Sequence, residues 1–287
     1  MRIDSHQHFW KYNPVKDSWI DDTMDVLKRD FLPEDLEEIL GNHQIDGCIA
    51  IQADQSEKET EFLLSLAAKS PFIKGVVGWV DLTSENASSR LAHYTANPLF
   101  KGVRHILQAE QQDDFMLNQA FLKGIEALSE FRLTYDLLVL PKHLKFVLAL
   151  LEKFPDQPFV IDHMAKPLIK DFKLKPWQEE IAEIANHPNV YCKLSGAITE
   201  ADWHKWNQID IFPYFDVIYE AFGPDRLMFG SDWPVCNLAG SYGAVCTLLD
   251  EYMKQFPEDE KSKIWGGNTT NFYNLNQWTI WKNEDNS

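Results

Sequence analysis

The sequence predicts a single (β/α)8 barrel, and three observations lead there. Short β-branched or aromatic runs alternate with longer amphipathic ones from end to end, eight short runs can be counted, and polar residues follow each of them. An open doubly wound sheet would share the alternation, but no Gly-x-Gly-x-x-Gly follows the first run. The expected strands begin with Arg2–Ser5, which carries the chain directly into the sheet. They continue with Gly47–Gln52, Ile73–Val80, Gly102–Leu107, Leu133–Leu140, Phe159–His163, Val190–Leu194 and Leu227–Gly230. Between them lie helical patterns at Pro33–Leu40, Glu57–Ala68, Asn118–Glu130, His143–Phe154, Pro176–Ala185 and Ile211–Phe222, several with apolar residues spaced by three and four. The longest stretch without a pattern, Phe9–Phe31, holds Trp10, Tyr12 and Trp19 and is expected to fold over one mouth of the barrel. One domain is expected over residues 1–275, with a polar tail over 276–287.

Composition permits this fold and removes several function classes. With 287 residues, 45% of them hydrophobic and 25% charged, the chain can bury one large core, as barrels of about 250 residues do. A net charge of -17 repels nucleic acid and anionic membrane over most of the surface, so neither is an expected partner. No apolar run approaches the ~18 residues of a membrane span, and the chain is expected to be soluble, unprocessed and cytoplasmic. Cys48, Cys192, Cys236 and Cys246 lack CxxC spacing and are expected as buried free thiols. Neither a zipper nor an edge-strand signal assigns an oligomeric state.

In a barrel, reactive groups belong at the C-terminal ends of the strands. Foremost there is His6-Gln7-His8, where alternate residues share a face and two imidazoles can converge on one ion. Nine histidines in 287 residues produce about 0.3 such pairs by chance, so capping of the barrel end remains the other reading. Asp232, in Phe229-Gly230-Ser231-Asp232-Trp233-Pro234, ends the last strand, which closure places beside the first; an Asx turn or helix cap is its alternative. His163, in Val160-Ile161-Asp162-His163-Met164-Ala165-Lys166-Pro167, adds a third imidazole, or else a satisfied core histidine. No Gly-x-Ser-x-Gly elbow is present, and Ser195 and Ser231 lack an obvious triad, so water is the expected nucleophile.

These segments resemble the amidohydrolase superfamily, in its amidohydrolase-2 branch, and within it the sugar-acid lactonases that act on L-fuconolactone and L-rhamnonolactone. The similar motifs are IDSHQHFW at 3–10, KGVRHIL at 101–107, TYDLLV at 134–139, VIDHMAKP at 160–167 and LMFGSDWPV at 227–235. In that order they span nearly the whole chain. The resemblance implies a metal-dependent-hydrolase barrel with His6, His8, His163 and Asp232 lining a hydrolytic centre. The same four residues could ligate one divalent ion, Zn2+ by donor type, while metal-independent catalysis stays open. A second ion is not expected, because Tyr191-Cys192-Lys193-Leu194-Ser195 lacks the further histidine that two-metal members carry.

The implied activity is that of a carboxylic ester hydrolase, opening an aldonolactone such as L-fuconolactone to its acid. In the expected mechanism Asp232 activates water and the imidazoles, with or without a metal, stabilise the oxyanion. Only Arg104 among six arginines falls at a C-terminal strand end, with Lys166 in the next such loop but one, which suits a neutral sugar lactone better than a dicarboxylate. Trp10, Trp79, Tyr135, Trp203, Trp206 and Trp233 could pack a sugar face, and Gln52, Asp54 and Asp136 could take its hydroxyls; core packing, or a cap for Asp54, is the alternative for each. Two other functions compete: hydrolysis or decarboxylation of an unsaturated dicarboxylate such as a pyrone acid, and a non-catalytic barrel that binds sugar acids.

Overall fold

Eight parallel strands follow one another around one sheet in chain order in the computed structural model, which describes residues 1–277. They are β1 (Ile3–Gln7), β2 (Gly47–Ile51), β3 (Ile73–Gly78), β4 (Phe100–His105), β5 (Thr134–Leu137), β6 (Phe159–Ile161), β7 (Val190–Leu194) and β8 (Leu227–Phe229). The ring closes just past β8, where Asp232 N–H donates to His6 O at 2.8 Å and His8 N–H donates to Trp233 O at 2.7 Å. Gln7 and Trp233 form the parallel bridge at this seam. The expected (β/α)8 barrel is therefore the observed one.

A strand buried on both faces reads as a continuous apolar run, and β2 (GCIAI) is buried at every position. Apolar side chains form two clusters. Ile3, Ile49, Ile51, Val77, Val160 and Met228 fill the barrel, where Tyr273 and Leu275 join them, and a larger cluster lies between sheet and helices. The helices are α1 (Pro33–Asn42), α2 (Glu57–Ala67), α3 (Ala87–Thr95), α4 (Gln119–Glu130), α5 (Leu144–Lys153), α6 (Trp177–Ile184), the single turn α7 (Ala197–Glu200), α8 (Gln208–Phe222), α9 (Tyr242–Tyr252), α10 (Glu258–Ser262) and α11 (Asn268–Phe272). Their starts follow local chemistry. Ser56 Oγ accepts from Glu59 N–H at 3.2 Å, Asn118 from Ala120 N–H at 2.8 Å, and Asn207 from Ile209 N–H at 2.9 Å, each satisfying a donor that the helix cannot.

Several boundaries differ from the expected ones. β1 runs two residues further and takes in His6 and Gln7, because pairing with the segment after β8 extends its ladder. β6 stops at Ile161 instead of reaching His163, since His163, Met164, Ala165 and Lys166 all adopt left-handed φ of 52–58°. The Phe9–Phe31 stretch is pinned at its base by Trp10 and Phe31, whose N–H groups donate to each other's carbonyls at 3.0 and 2.9 Å. Lys16, midway along it, pairs with Glu59 of α2 at 3.3 Å. All four cysteines are free and buried. No helix among the described residues is long and apolar enough to cross a membrane. Leu275 is buried in the inner cluster; most of the expected 276–287 tail, from residue 278 on, lies outside the described residues.

The seam is stitched from beneath by Asp4. Its fully buried carboxylate accepts from Ser231 Oγ at 2.6 Å, Ser231 N–H at 2.9 Å and His6 N–H at 3.0 Å. Asp4→Ala strips the acceptor from three buried donors and is expected to lower unfolding free energy by about 3–5 kcal/mol. Asp4→Asn, which keeps one acceptor oxygen, should cost about 1–2 kcal/mol, as read by urea denaturation.

Candidate active site

The seam brings the expected polar set together. Asp232 Oδ1 lies 3.4 Å from His8 Nε2, 3.8 Å from His6 Nε2 and 3.9 Å from His163 Nε2. His6 Nε2 and His8 Nε2 are 3.1 Å apart. Three strand ends supply these groups: β1 the histidine pair, the left-handed turn after β6 His163, and the segment after β8 Asp232, which is itself left-handed at φ 56°. Non-glycine residues in this region cost on the order of 1–3 kcal/mol each, a strain that tertiary contacts must hold. Gly196 provides part of that hold: at φ +68° it passes so close that a Cβ there would sit 2.8–2.9 Å from His163.

Each imidazole is oriented from behind. His8 Nδ1 faces Ile51 O at 2.9 Å, and because a carbonyl only accepts, the proton sits on Nδ1 and Nε2 turns a lone pair inward. His163 Nδ1 faces Ser195 Oγ at 2.9 Å. His6 Nδ1 faces Asp162 Oδ1 at 3.2 Å. Burial keeps His6 well below the usual imidazole range and pushes His163 down to about 4. Burial alone would raise Asp232, but the facing His163, His8 and His6 outweigh it and hold the carboxyl below its usual range. The result is an ionised carboxylate beside His6 and His163, both held uncharged by burial.

Under this set lies a layer of charge without solvent access. Lys193 Nζ donates to Asp136 Oδ2 at 2.5 Å and Asp162 Oδ1 at 3.0 Å, and Arg104 Nη1 donates to Asp162 Oδ2 at 3.0 Å. Tyr273 Oη donates to Asp136 Oδ2 at 2.8 Å. Burial works against the Asp162 carboxylate, yet Lys193, His6 and Arg104 hold it well below the carboxylate range. Lys193 and Asp162 are not among the candidates that the sequence singles out. The signal was available, since a lysine and an acid inside strand-end motifs of an otherwise apolar barrel must be paired to be buried.

Comparison with known proteins follows this geometry closely. A family model described as Amidohydrolase matches residues 3–275. The chain belongs to the amidohydrolase family. It is 37% identical over 280 residues to an L-fucono-1,5-lactonase of Burkholderia ambifaria, and 38% over 286 residues to one of Burkholderia multivorans, covering 96% of both chains in each case. A crystal structure of an amidohydrolase from Burkholderia multivorans with bound zinc superposes with a TM-score of 0.93 at 38% identity, over 96% of this chain and 99% of that one.

Within this amidohydrolase barrel, His6, His8 and Asp232 present ligand atoms within 4.8 Å of one another, as do His6, Asp162 and His163. Two imidazole Nε2 atoms only 3.1 Å apart, beside a carboxylate, form a ligand-atom set that fits a cation. The remaining expected residues divide sharply. Arg104 and Gln52 are buried and engaged with each other: the guanidinium donates to Gln52 Oε1 at 3.0 Å and to Gln52 O, so Arg104 supports the layer under the histidines and is not free to clamp a carboxylate. Asp136 is sealed against Lys193 and cannot take a sugar hydroxyl. Tyr135, expected at the mouth, points instead toward α4 and packs on Phe121 and Phe159, because strand alternation sends its neighbour Asp136 inward.

Trp10 and Trp233 are likewise buried around Phe31, with Trp10 Nε1 donating to Arg29 O at 3.0 Å, so they build the floor of the long loop. Trp203 and Trp206 spend their Nε1 donors on Thr199 O and Ala239 O. Asp54 accepts from Ser56 Oγ at 2.7 Å beside the start of α2, whose cap is Ser56 itself. Trp79 is half-buried, with Nε1 donating to His105 Nδ1 at 3.3 Å, and Lys166 is half-buried and paired with Glu200 at 3.4 Å; both keep partial access to solvent. Gly196→Ala must displace the His163 turn and adopt a strained φ, and is expected to cost about 1–3 kcal/mol. Differential scanning calorimetry checks this, and an unchanged melting temperature would contradict the packing described.

Proposed function

We propose that this amidohydrolase is a carboxylic ester hydrolase that opens a sugar-acid lactone, L-fucono-1,5-lactone or a close stereochemical relative, to the aldonic acid. The observation that carries the reading is the convergence of three imidazole Nε2 atoms within 3.9 Å of one ionised, buried carboxylate oxygen of Asp232. Identity of 37–38% over nearly the full length to L-fucono-1,5-lactonases supports the substrate class. His6, His8, His163 and Asp232 are the residues that would hold one divalent ion, zinc by donor type, and such an ion supplies Lewis acidity toward a carbonyl oxygen.

The chain's own groups account for the proton transfers. Asp232, ionised at neutral pH, takes a proton from water as the hydroxide oxygen bonds to the lactone carbonyl carbon. The carbonyl π electrons move onto oxygen, giving the tetrahedral intermediate. Collapse of the tetrahedral intermediate restores the C=O, breaks the bond to the ring oxygen, and returns the proton from Asp232 to that oxygen. Burial of the cluster keeps bulk water from competing for these contacts. Trp79 and Lys166, two of the expected residues that keep partial access to solvent, are the proposed contacts to the sugar. The cell compartment expected for this chemistry is the cytoplasm.

Hydrolysis of an aldono-1,4- and 1,5-lactone panel, followed with a pH indicator with and without chelator, tests the reading. One stereochemical set should turn over, and Asp232→Asn should lower kcat by about 10²–10⁴-fold. Near-normal turnover by that variant would refute the assignment of the base. The pH profile has a definite sign. A neutral His163 is what holding a divalent ion requires and its value is pushed down to about 4, so kcat/KM should hold through the range above and fall as pH drops through about 4.

A further inference from the structure

The buried layer beneath the histidines is satisfied better by one tautomer of His6 than by the other. Arg104 Nη1 lies 3.3 Å from His6 Nε2 and 3.0 Å from Asp162 Oδ2. A guanidinium nitrogen can only donate, so one of its protons goes to the carboxylate and the other to a lone pair on Nε2. The ring proton of His6 is therefore on Nδ1, where Asp162 Oδ1 at 3.2 Å is the acceptor. Lys193 Nζ is 3.3 Å from the same Nδ1, one donor–donor contact that this tautomer leaves, whereas the Nε2–H tautomer would set Nδ1 against an Asp162 oxygen and Nε2–H against an Arg104 N–H. The Lys193 donors go to Asp162 Oδ1 at 3.0 Å and Asp136 Oδ2 at 2.5 Å.

Two acids and two bases thus share one closed layer, all of them essentially without solvent access. Arg104 serves Asp162 alone, whereas Lys193 serves both acids. We infer that Lys193 is a positioning residue: by compensating Asp136 and Asp162 together it keeps Asp162 a pure acceptor beneath His6, which holds the His6 proton on Nδ1 and leaves Nε2 unprotonated as an acceptor. The role rests on the lactonase reading for its consequence in turnover, but not for the tautomer itself. Lys193 touches no reacting atom. Its effect passes through Asp162 to His6, the kind of outer contact whose loss typically lowers activity about 10–100-fold.

The experiment uses full-length protein with 15N-labelled histidine. Wild type should show His6 protonated at Nδ1, the resonance being assigned by its absence from His6→Asn. In Lys193→Met, two acids face one guanidinium; the Nδ1–H signal should be lost or mixed, and kcat on the active lactone should fall about 10–100-fold with KM within about threefold. Asp136→Asn/Lys193→Met removes one acid together with the cation and should recover the Nδ1–H signal and most of kcat. An unchanged tautomer and kcat in Lys193→Met would overturn the proposal, and so would a double variant as impaired as the single one, since packing alone would then explain Lys193. Should Lys193→Met fail to fold, the charge-matched double variant carries the test: an intact signal with kcat within tenfold supports the role, and loss of both refutes it. If wild type opens no lactone, the functional reading falls while the nitrogen spectra still decide the role of Lys193.

Discussion

Closure of the sheet between β1 and the segment after β8 is the constraint on which the site depends. Two backbone hydrogen bonds, from Asp232 N–H to His6 O and from His8 N–H to Trp233 O, make the last link of the barrel. The same four residues carry or flank the chemistry. A barrel needs this link for every strand to have two neighbours, so the fold cannot form without juxtaposing the histidine pair and the carboxylate. Asp4 ties the arrangement together from one layer below, bonding both to His6 N–H and to Ser231. Stability and function are therefore coupled at one place.

The layer of Arg104, Asp136, Asp162 and Lys193 is the second decisive feature. Ions without water are costly, and their mutual attraction repays the cost only when geometry is good and remaining hydrogen bonds are made. Here nearly all are made: Asp162 receives both cations, Gln52 fills the rest of the guanidinium fork, and Tyr273 reaches up from the far end of the barrel to Asp136. Replacing such a layer with apolar side chains would often cost nothing in stability. Its retention beneath His6 fits a task in orienting that ring.

Local strain is concentrated at the same end. His163 and Asp232 both occupy left-handed backbone, and Gly196 and Gly230 pass within Cβ-contact distance of His163 and His6. Strand pairing alone would not aim those side chains at each other. The turn after β6 abandons extended backbone as soon as Ile161 is paired, which brings the His163 ring centroid to 4.3 Å from that of His6.

The sequence by itself determined the architecture and the reactive quartet. Alternating apolar runs can be satisfied only by strands buried on both faces beneath amphipathic helices, and chain order in a closed parallel barrel already places the first and last strands side by side. His6, His8, His163 and Asp232 were legible because they sit at strand ends within motifs that resemble a family. What only the tertiary structure decided is the fate of the surrounding groups. Whether Arg104 clamps a ligand or props Asp162, and whether Tyr135 or Asp136 faces inward, turns on the strand register to a single residue, since side chains alternate with period two. Lys193 and Asp162 acquire their roles solely from each other's positions, 31 residues apart in sequence and 3.0 Å apart in the barrel, and a pairing of that kind exists only once the sheet has closed.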